Sequence, residues 1–297
     1  MNTFLVCALF LFGLALGSFL NVCISRIPRD QSIIVPRSRC LACAAPIPWY
    51  DNIPLLSWVL LRGRCRGCGA GISWRYPAVE WLTAVLFVAC FARFGFTWLT
   101  LKFCIFCFLL VGLIFMDAET GLLPREFTYT GIVLGLVLSW FALTDSAATA
   151  IFVRAYGIAD RISSRQLSFL DSLMGALFGA GFFYLAWALY YLVRKRHGMG
   201  FGDIALMAMA GAFLGVKLSI FVLFTAPVLG ALYAIAWLVG TAAYRSATGS
   251  PGDAQASPNT REMFLAGEFP FGVFLGICSL AAIFVGEAAW IRYLGFF

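Results

Sequence analysis

The sequence predicts an all-α polytopic membrane protein of about eight transmembrane helices, with a small cytosolic four-cysteine zinc-binding domain between helices 1 and 2. Three observations carry that reading. Hydrophobic types make up 62% of the 297 residues and charged ones only 12%, whereas globular chains carry roughly a quarter charged residues. Most apolar residues fall in runs of about 20, or somewhat fewer in a tight bundle, as a bilayer crossing requires. Two C-x-x-C pairs stand in the single sizeable polar block. A soluble fold of mean hydropathy +0.91 would expose large apolar patches and aggregate. The lone histidine, His197, excludes a two-histidine metalloprotease motif and any three-histidine zinc site. It lies in a basic loop, so a Ser-His-Asp triad built on it is discounted. No nucleic-acid partner is expected.

The apolar runs fall near 3–24, 79–94, 97–116, 127–144, 170–193, 203–216, 218–243 and 269–290. The first is read as an uncleaved helix. No Lys or Arg precedes it and eight arginines follow, the reverse of a signal peptide's charge order. The expected division is therefore a first transmembrane helix (1–24), the zinc-binding block (25–78) and a helical bundle (79–297). Residues 145–169 suit an outer-surface amphipathic helix or an ordinary loop equally well. Residues 246–262 have the composition of a flexible linker.

Net charge is +7, and its distribution orients the chain. Of 21 Lys and Arg residues, fourteen lie in the loops 25–78, 117–126, 194–202 and 244–268. The positive-inside rule places those loops in the cytosol and both termini in the periplasm.

Within the polar block, Cys40 and Cys43 form one C-x-x-C pair, and Cys65 and Cys68 the other. Paired knuckles at this separation read as a closed tetrahedral zinc site, hence structural. Gly67 and Gly69 supply the backbone freedom of a tight second knuckle. The alternative is two disulfides, which are rare in a reducing cytosol. Cys104 and Cys107 repeat the spacing inside an apolar run and are read as packing. The same holds for Cys7, Cys23, Cys90 and Cys278.

Two acids stand where expected helices meet the cytosol. Asp117 ends the third run and Asp203 opens the sixth. Ordinary alternatives are a solvated helix end for Asp117 and an N-cap for Asp203. Intramembrane acids nevertheless point to function. The glycines Gly198, Gly200 and Gly202 permit close backbone approach and positive φ beside Asp203. Two facing carboxylates sharing a proton can activate water, one as general base and the other as general acid. Glu80 and Glu268 are candidate supporting acids beside the zinc block and the last run.

In this order the motifs resemble the bifunctional type IV prepilin leader peptidases, aspartic membrane peptidases that also process type II secretion pseudopilins. The marks are Gly17-Ser-Phe-Leu-Asn-Val, Arg26-Ile-Pro28, the two knuckles, Asp51-Asn-Ile-Pro-Leu-Leu-Ser-Trp58, Leu61-Arg-Gly-Arg-Cys65, Arg75-Tyr-Pro-Ala-Val-Glu80, the Asp117 segment with Leu123-Pro124, Gly200-Phe-Gly-Asp203 and Pro270-Phe-Gly272. The resemblance implies that Asp117 and Asp203 are the catalytic pair, supported by Gly200 and Gly202. It implies that Cys40, Cys43, Cys65 and Cys68 bind zinc. It further implies leader cleavage at the cytosolic face of the bacterial inner membrane, then N-methylation of the new terminus from S-adenosylmethionine. Gly63 beside the second knuckle is associated with methylation. Glu119 and Glu126 are placed to attract a basic leader. The chain departs from the family at Ala205, where a lysine is common, and at Arg125, where an acid is common. Two other readings compete: a peptidase without methylation, and a transporter whose aspartates bind cations or protons.

Overall fold

The computed structural model describes residues 3–144, 149, 154–155, 162–195, 200–248 and 270–294. Asp145, Asp160, Arg161, His197, Gly198, Glu262 and Glu268 lie outside them, as do most of 145–163 and residues 249–262 of the expected linker. The helices are α1 (Thr3–Arg26), α2 (Leu56–Leu60), α3 (Arg75–Phe94), α4 (Trp98–Thr120), α5 (Arg125–Ser139), α6 (Ser164–Arg194), α7 (Phe201–Thr248) and α8 (Phe271–Leu294). Short 3-10 turns occupy Ile27–Arg29 and Trp49–Asn52.

The eight expected runs map onto seven long helices. The sixth and seventh join in α7, which breaks at Gly215 (φ 75°, ψ −178°) into two arms. Among the described residues, six helices are long and apolar enough to cross a membrane. The run expected at 127–144 is the exception. Its helix α5 has 15 residues, because the chain turns at Trp140–Ala142, whose amides donate to Val137 and Leu138.

Local signals set the helix ends. Thr97 caps α4 by accepting from the Thr100 amide, satisfying one of the donors left over in a first turn. Gly121 stops the same helix in left-handed geometry (φ 64°), its amide donating to Asp117 O at 2.9 Å. Such a residue after a helix satisfies carbonyls that would otherwise lack partners. Ser163 and Gln166 form a reciprocal capping box at the start of α6.

Helix α4 is the hub, touching α1, α3, α5, α7 and α8. Its Phe106 stacks on Phe213 of α7, with ring centroids 4.5 Å apart. Helices α1 and α3 run antiparallel in backbone contact. A Cβ on Gly13 would lie 2.6 Å from Ala84 Cα, and one on Gly17 2.6 Å from Glu80 Cα. One turn further, Asn21 Nδ2 donates to Tyr76 O at 2.9 Å. Small residues every fourth position let helices approach closely where no hydrophobic effect drives them together.

Lys102 and Asp171 are both fully buried. Asp171 Oδ1 accepts from the Val216 amide at 3.4 Å and from Thr149 Oγ1 at 2.5 Å. Its carboxylate fills the space that a side chain at Gly215 would need. The break in α7 is thus built around Asp171.

Gly17→Val is expected to destabilise the protein by about 1–3 kcal/mol, since overpacking a close contact forces backbone shifts. Thermal unfolding in detergent against the wild type checks this.

Candidate active site and metal centre

Asp117 sits in the last turn of α4 and Asp203 in the first turn of α7. They are 4% and 8% exposed, so neither is the solvated acid that a plain helix end would carry. Asp203 is not the N-cap either. Helix α7 starts at Phe201, and Gly200 precedes it. They meet at one place, since Gly272 beside Asp117 and Gly202 beside Asp203 pack against the same side chain, Leu123. A third element completes the group. The Val273 amide, in the first turn of α8, donates to Asp117 Oδ2 at 2.9 Å. The positive end of a helix dipole thereby faces this carboxylate.

The glycines around the acids act by closeness. Among the described residues, neither Gly200 nor Gly202 uses the positive φ that glycine permits; Gly202 uses the close approach. A Cβ on Gly202 would lie 2.8 Å from Leu123 Cβ, and one on Gly272 2.8 Å from Asp117 Oδ2 and 3.0 Å from Leu123 Cδ1. Leu123 is therefore wedged between the starts of α7 and α8, and any larger residue at 202 or 272 would push the acid-bearing helices apart. Among the described residues, a Cβ on Gly200 would meet only Gly202 N, at 3.8 Å.

The cysteine block leaves α1 and returns through α3, at the same end of the bundle as Asp117. Arg75, the first residue of α3, shows this directly. Its Nη1 donates to Glu119 Oε2 at 2.6 Å, its Nη2 to Ser25 Oγ at 2.9 Å, and its guanidinium lies over the Tyr76 ring at 4.5 Å. The ends of α1, α3 and α4 are thus tied together. Glu119, expected to attract a basic partner, is already paired here, and Glu126 stays exposed.

The two knuckles are built alike. In the first, the Cys40 amide donates to Ala45 O at 2.9 Å and the Ala44 amide to Cys40 O at 3.0 Å. In the second, Cys65 donates to Ala70 O at 2.8 Å and Gly69 to Cys65 O at 2.9 Å. Ala44 and Gly69 hold equivalent left-handed positions, with φ 57° and 71°. The four sulfurs lie within 4.8 Å of one another, and Cys40 Sγ and Cys68 Sγ are 3.8 Å apart. A tetrahedron with metal–sulfur bonds of about 2.3 Å has edges of about 3.8 Å, so the donor set is close to what a metal ion requires. The Cys43 and Ala42 amides hold the Cys40 thiol below its ordinary value, favouring the thiolate form that binds metal. Against the pull of the Ala70 amide, side-chain hydrogen bonding with Cys43 pushes Cys68 up. Cys104 and Cys107 are buried in α4, as expected of packing residues.

Several residues brace the block. Arg66 grips Asp51 in a fork, with Nε to Oδ2 at 2.7 Å and Nη2 to Oδ1 at 2.6 Å. Hydrogen bonding to that guanidinium holds the Asp51 carboxyl below its ordinary range. Gly63 has φ 64°, and a Cβ there would lie 2.9 Å from Trp58 Cζ2. The same indole donates to Ile72 O at 3.2 Å. Gly63 therefore has an architectural reason to be glycine. Glu80 does not reach the cysteines. It is buried in α3, and its Oε2 accepts from the Leu55 amide at 2.8 Å. Sequence reasoning missed the roles of Arg75, Leu123, Gly272 and Val273. The visible signals were the motifs that hold or adjoin them: Arg75-Tyr-Pro, Leu123-Pro124 and Pro270-Phe-Gly272.

Two family models match the chain: the bacterial peptidase A24 N-terminal domain over residues 11–94 and the type IV leader peptidase family over 103–235. A curated relative from Myxococcus xanthus is 41% identical over 78% of this chain and 63% of its own length. One from Aeromonas hydrophila is 32% identical over 96% of this chain and 92% of its own. One from Neisseria gonorrhoeae is 31% identical over 75% and 79%. Each is named prepilin leader peptidase/N-methyltransferase. No solved structure gives a significant match.

Ala44→Gly is expected to stabilise the block by about 1 kcal/mol and Gly69→Ala to destabilise it by a similar amount, because left-handed geometry disfavours a Cβ. Denaturant titration of the purified protein reads both.

Proposed function

The chain belongs to the type IV leader peptidase family, and we propose that it cleaves the leader of prepilins and pseudopilins and N-methylates the new terminus. In this reading Asp117 and Asp203 are the catalytic pair. The observation that carries it is the burial of two carboxyls at one end of the bundle, where the starts of α7 and α8 meet around Leu123. One carboxylate takes a proton from water as the water attacks the scissile carbonyl. The other gives a proton to the departing amine. The Val273 amide orients Asp117, and the Leu123 wedge between Gly202 and Gly272 fixes the spacing of the helix starts. Gly200, having no side chain, would let a substrate backbone approach Asp203. The one-ended placement favours a peptidase over a transporter, whose ion sites sit near the midplane.

We further propose that Cys40, Cys43, Cys65 and Cys68 hold a structural Zn²⁺. The ion would fasten the two knuckles, whose own core is too small to stand unaided. The block 25–78, with Gly63 in it, is the part associated with methylation, for which S-adenosylmethionine supplies the methyl group. The basic loops place this block and the dyad on the cytosolic face of the inner membrane, where a basic leader joined to an apolar helix would present its scissile bond. Residues 79–297 form the peptidase bundle in this division.

Asp117→Asn and Asp203→Asn are each expected to cut prepilin cleavage in membranes by roughly 10²-fold or more, while wild-type product gains the mass of one methyl group. Cleavage surviving in either variant would remove that residue from the pair, and an unmethylated wild-type product would leave a peptidase alone. Zinc chelation is expected to lower methylation more than cleavage, since the cysteines lie outside the aspartate-bearing helices. Parallel loss of both activities would refute that separation.

A further inference from the structure

The polar block contains a segment that does not belong in water. Residues 53–61 read Ile-Pro-Leu-Leu-Ser-Trp-Val-Leu-Leu. Val59 and Leu60 are 63% and 71% exposed, and Ile53 and Leu56 are exposed as well. The position of this segment along α1 explains why.

Helix α1 has 24 residues and is therefore about 36 Å long at 1.5 Å per residue. A hydrocarbon core about 30 Å thick must contain its middle wherever the helix sits. The middle is Leu11 to Ala15. Leu11, Leu14 and Ala15 form one wall of a cavity of about 480 Å³ whose other wall is Ile53, Pro54, Leu55, Leu56 and Val59. A hydrogen bond gives the depth independently. The Leu55 amide donates to Glu80, which is the sixth residue of α3 and lies level with Gly17 on α1. That places Leu55 about 8 Å inside the start of α3 and about 13 Å inside the end of α1.

The backbone of the segment is equipped for such a place. Chain without regular structure survives at membrane depth only when its polar groups are satisfied within the protein. The Ile53 amide donates to Ser57 Oγ, Leu55 to Glu80, Leu56 to Pro54 O, Ser57 to Ile53 O and Val59 to Leu55 O. Ser57 Oγ in turn donates to Tyr50 O, and Pro54 has no N–H to satisfy. Leu55 sits at φ 57°, ψ −50°, closing a three-residue turn of a rare and strained kind. Strain of this type persists where surroundings over-determine it, here through the buried Glu80 carboxylate.

We propose that residues 53–60 form a re-entrant element embedded in the leaflet beside the cysteine centre, its outer face covered by lipid acyl chains. The occupant is hydrocarbon because the exposed side chains are apolar, the cavity walls are apolar, and the face continues the lipid-facing surface of α1 at Leu11 and Phe12. The polar block is thus anchored by a plug in the bilayer as well as by the two helices it joins. This inference does not depend on the roles of the aspartates.

The test places a photoreactive benzophenone amino acid at Val59 in the full-length protein, reconstituted in phosphatidylethanolamine–phosphatidylglycerol vesicles. The same probe at Leu11 marks the bilayer interior, and at Leu41, 91% exposed in the first knuckle, it marks the water side. After irradiation, mass spectrometry is expected to find acyl-chain adducts at 59 as at 11, and none at 41. A probe at Leu60 gives the same reading should the Val59 variant fold poorly. Absence of lipid adducts at both 59 and 60 would overturn the proposal. So would adducts at 59 that shift from lipid to an added apolar prepilin helix, since the groove would then be a protein-binding one. Prepilin cleavage measured on the same samples reports on the aspartates separately.

Discussion

An amide or carboxylate inside a bilayer has no water to turn to, and leaving one without a partner costs several kcal/mol. The arrangement of this chain follows from that constraint. Three buried acids each accept a backbone N–H from a segment that begins within the bundle: Glu80 from Leu55, Asp117 from Val273 and Asp171 from Val216. In each of these three places, a break in regular helix is matched by a carboxylate on a neighbouring helix. Acids that sequence inspection treats as separate features are solutions to one problem, and the proposed catalytic pair borrows the same solution.

The same bonds couple regions that look independent. Arg75 joins the ends of α1, α3 and α4, so the exit from the cysteine block is mechanically continuous with the turn that carries Asp117. Leu123 connects the starts of α7 and α8 across the short loop that follows α4. The cysteine centre and the acidic pair therefore share a frame although they share no side chain.

What the sequence disclosed follows from the range of each signal. The cysteine knuckles were legible because their donors sit three residues apart and their hydrogen bonds are local. Asp117 and Asp203 were legible because acids are scarce in apolar runs. The apolar runs divide at Lys217, two residues beyond the bend at Gly215. Glu80 reads from the sequence only as a candidate supporting acid beside the zinc block, because its partner, Leu55, lies 25 residues earlier. At Gly202 the close approach that glycine permits is used and the positive φ is not. The need for glycine there comes from Leu123, a contact that no local pattern encodes. Gly63 combines both kinds of demand, a left-handed φ and the nearby Trp58 indole.

The bond between Val273 and Asp117 spans 156 residues, and that separation has a temporal side. A ribosome adding roughly 5–20 residues per second releases Asp117 and Asp203 well before the segment that orients the first of them. For roughly 10–30 seconds at that pace, nascent α4 can be in the bilayer while the start of α8 is still unmade. An incomplete chain thus holds both acids without the amide that aims one of them. In the proposed reading, the geometry around Asp117 is therefore completed only once the start of α8 has joined the bundle.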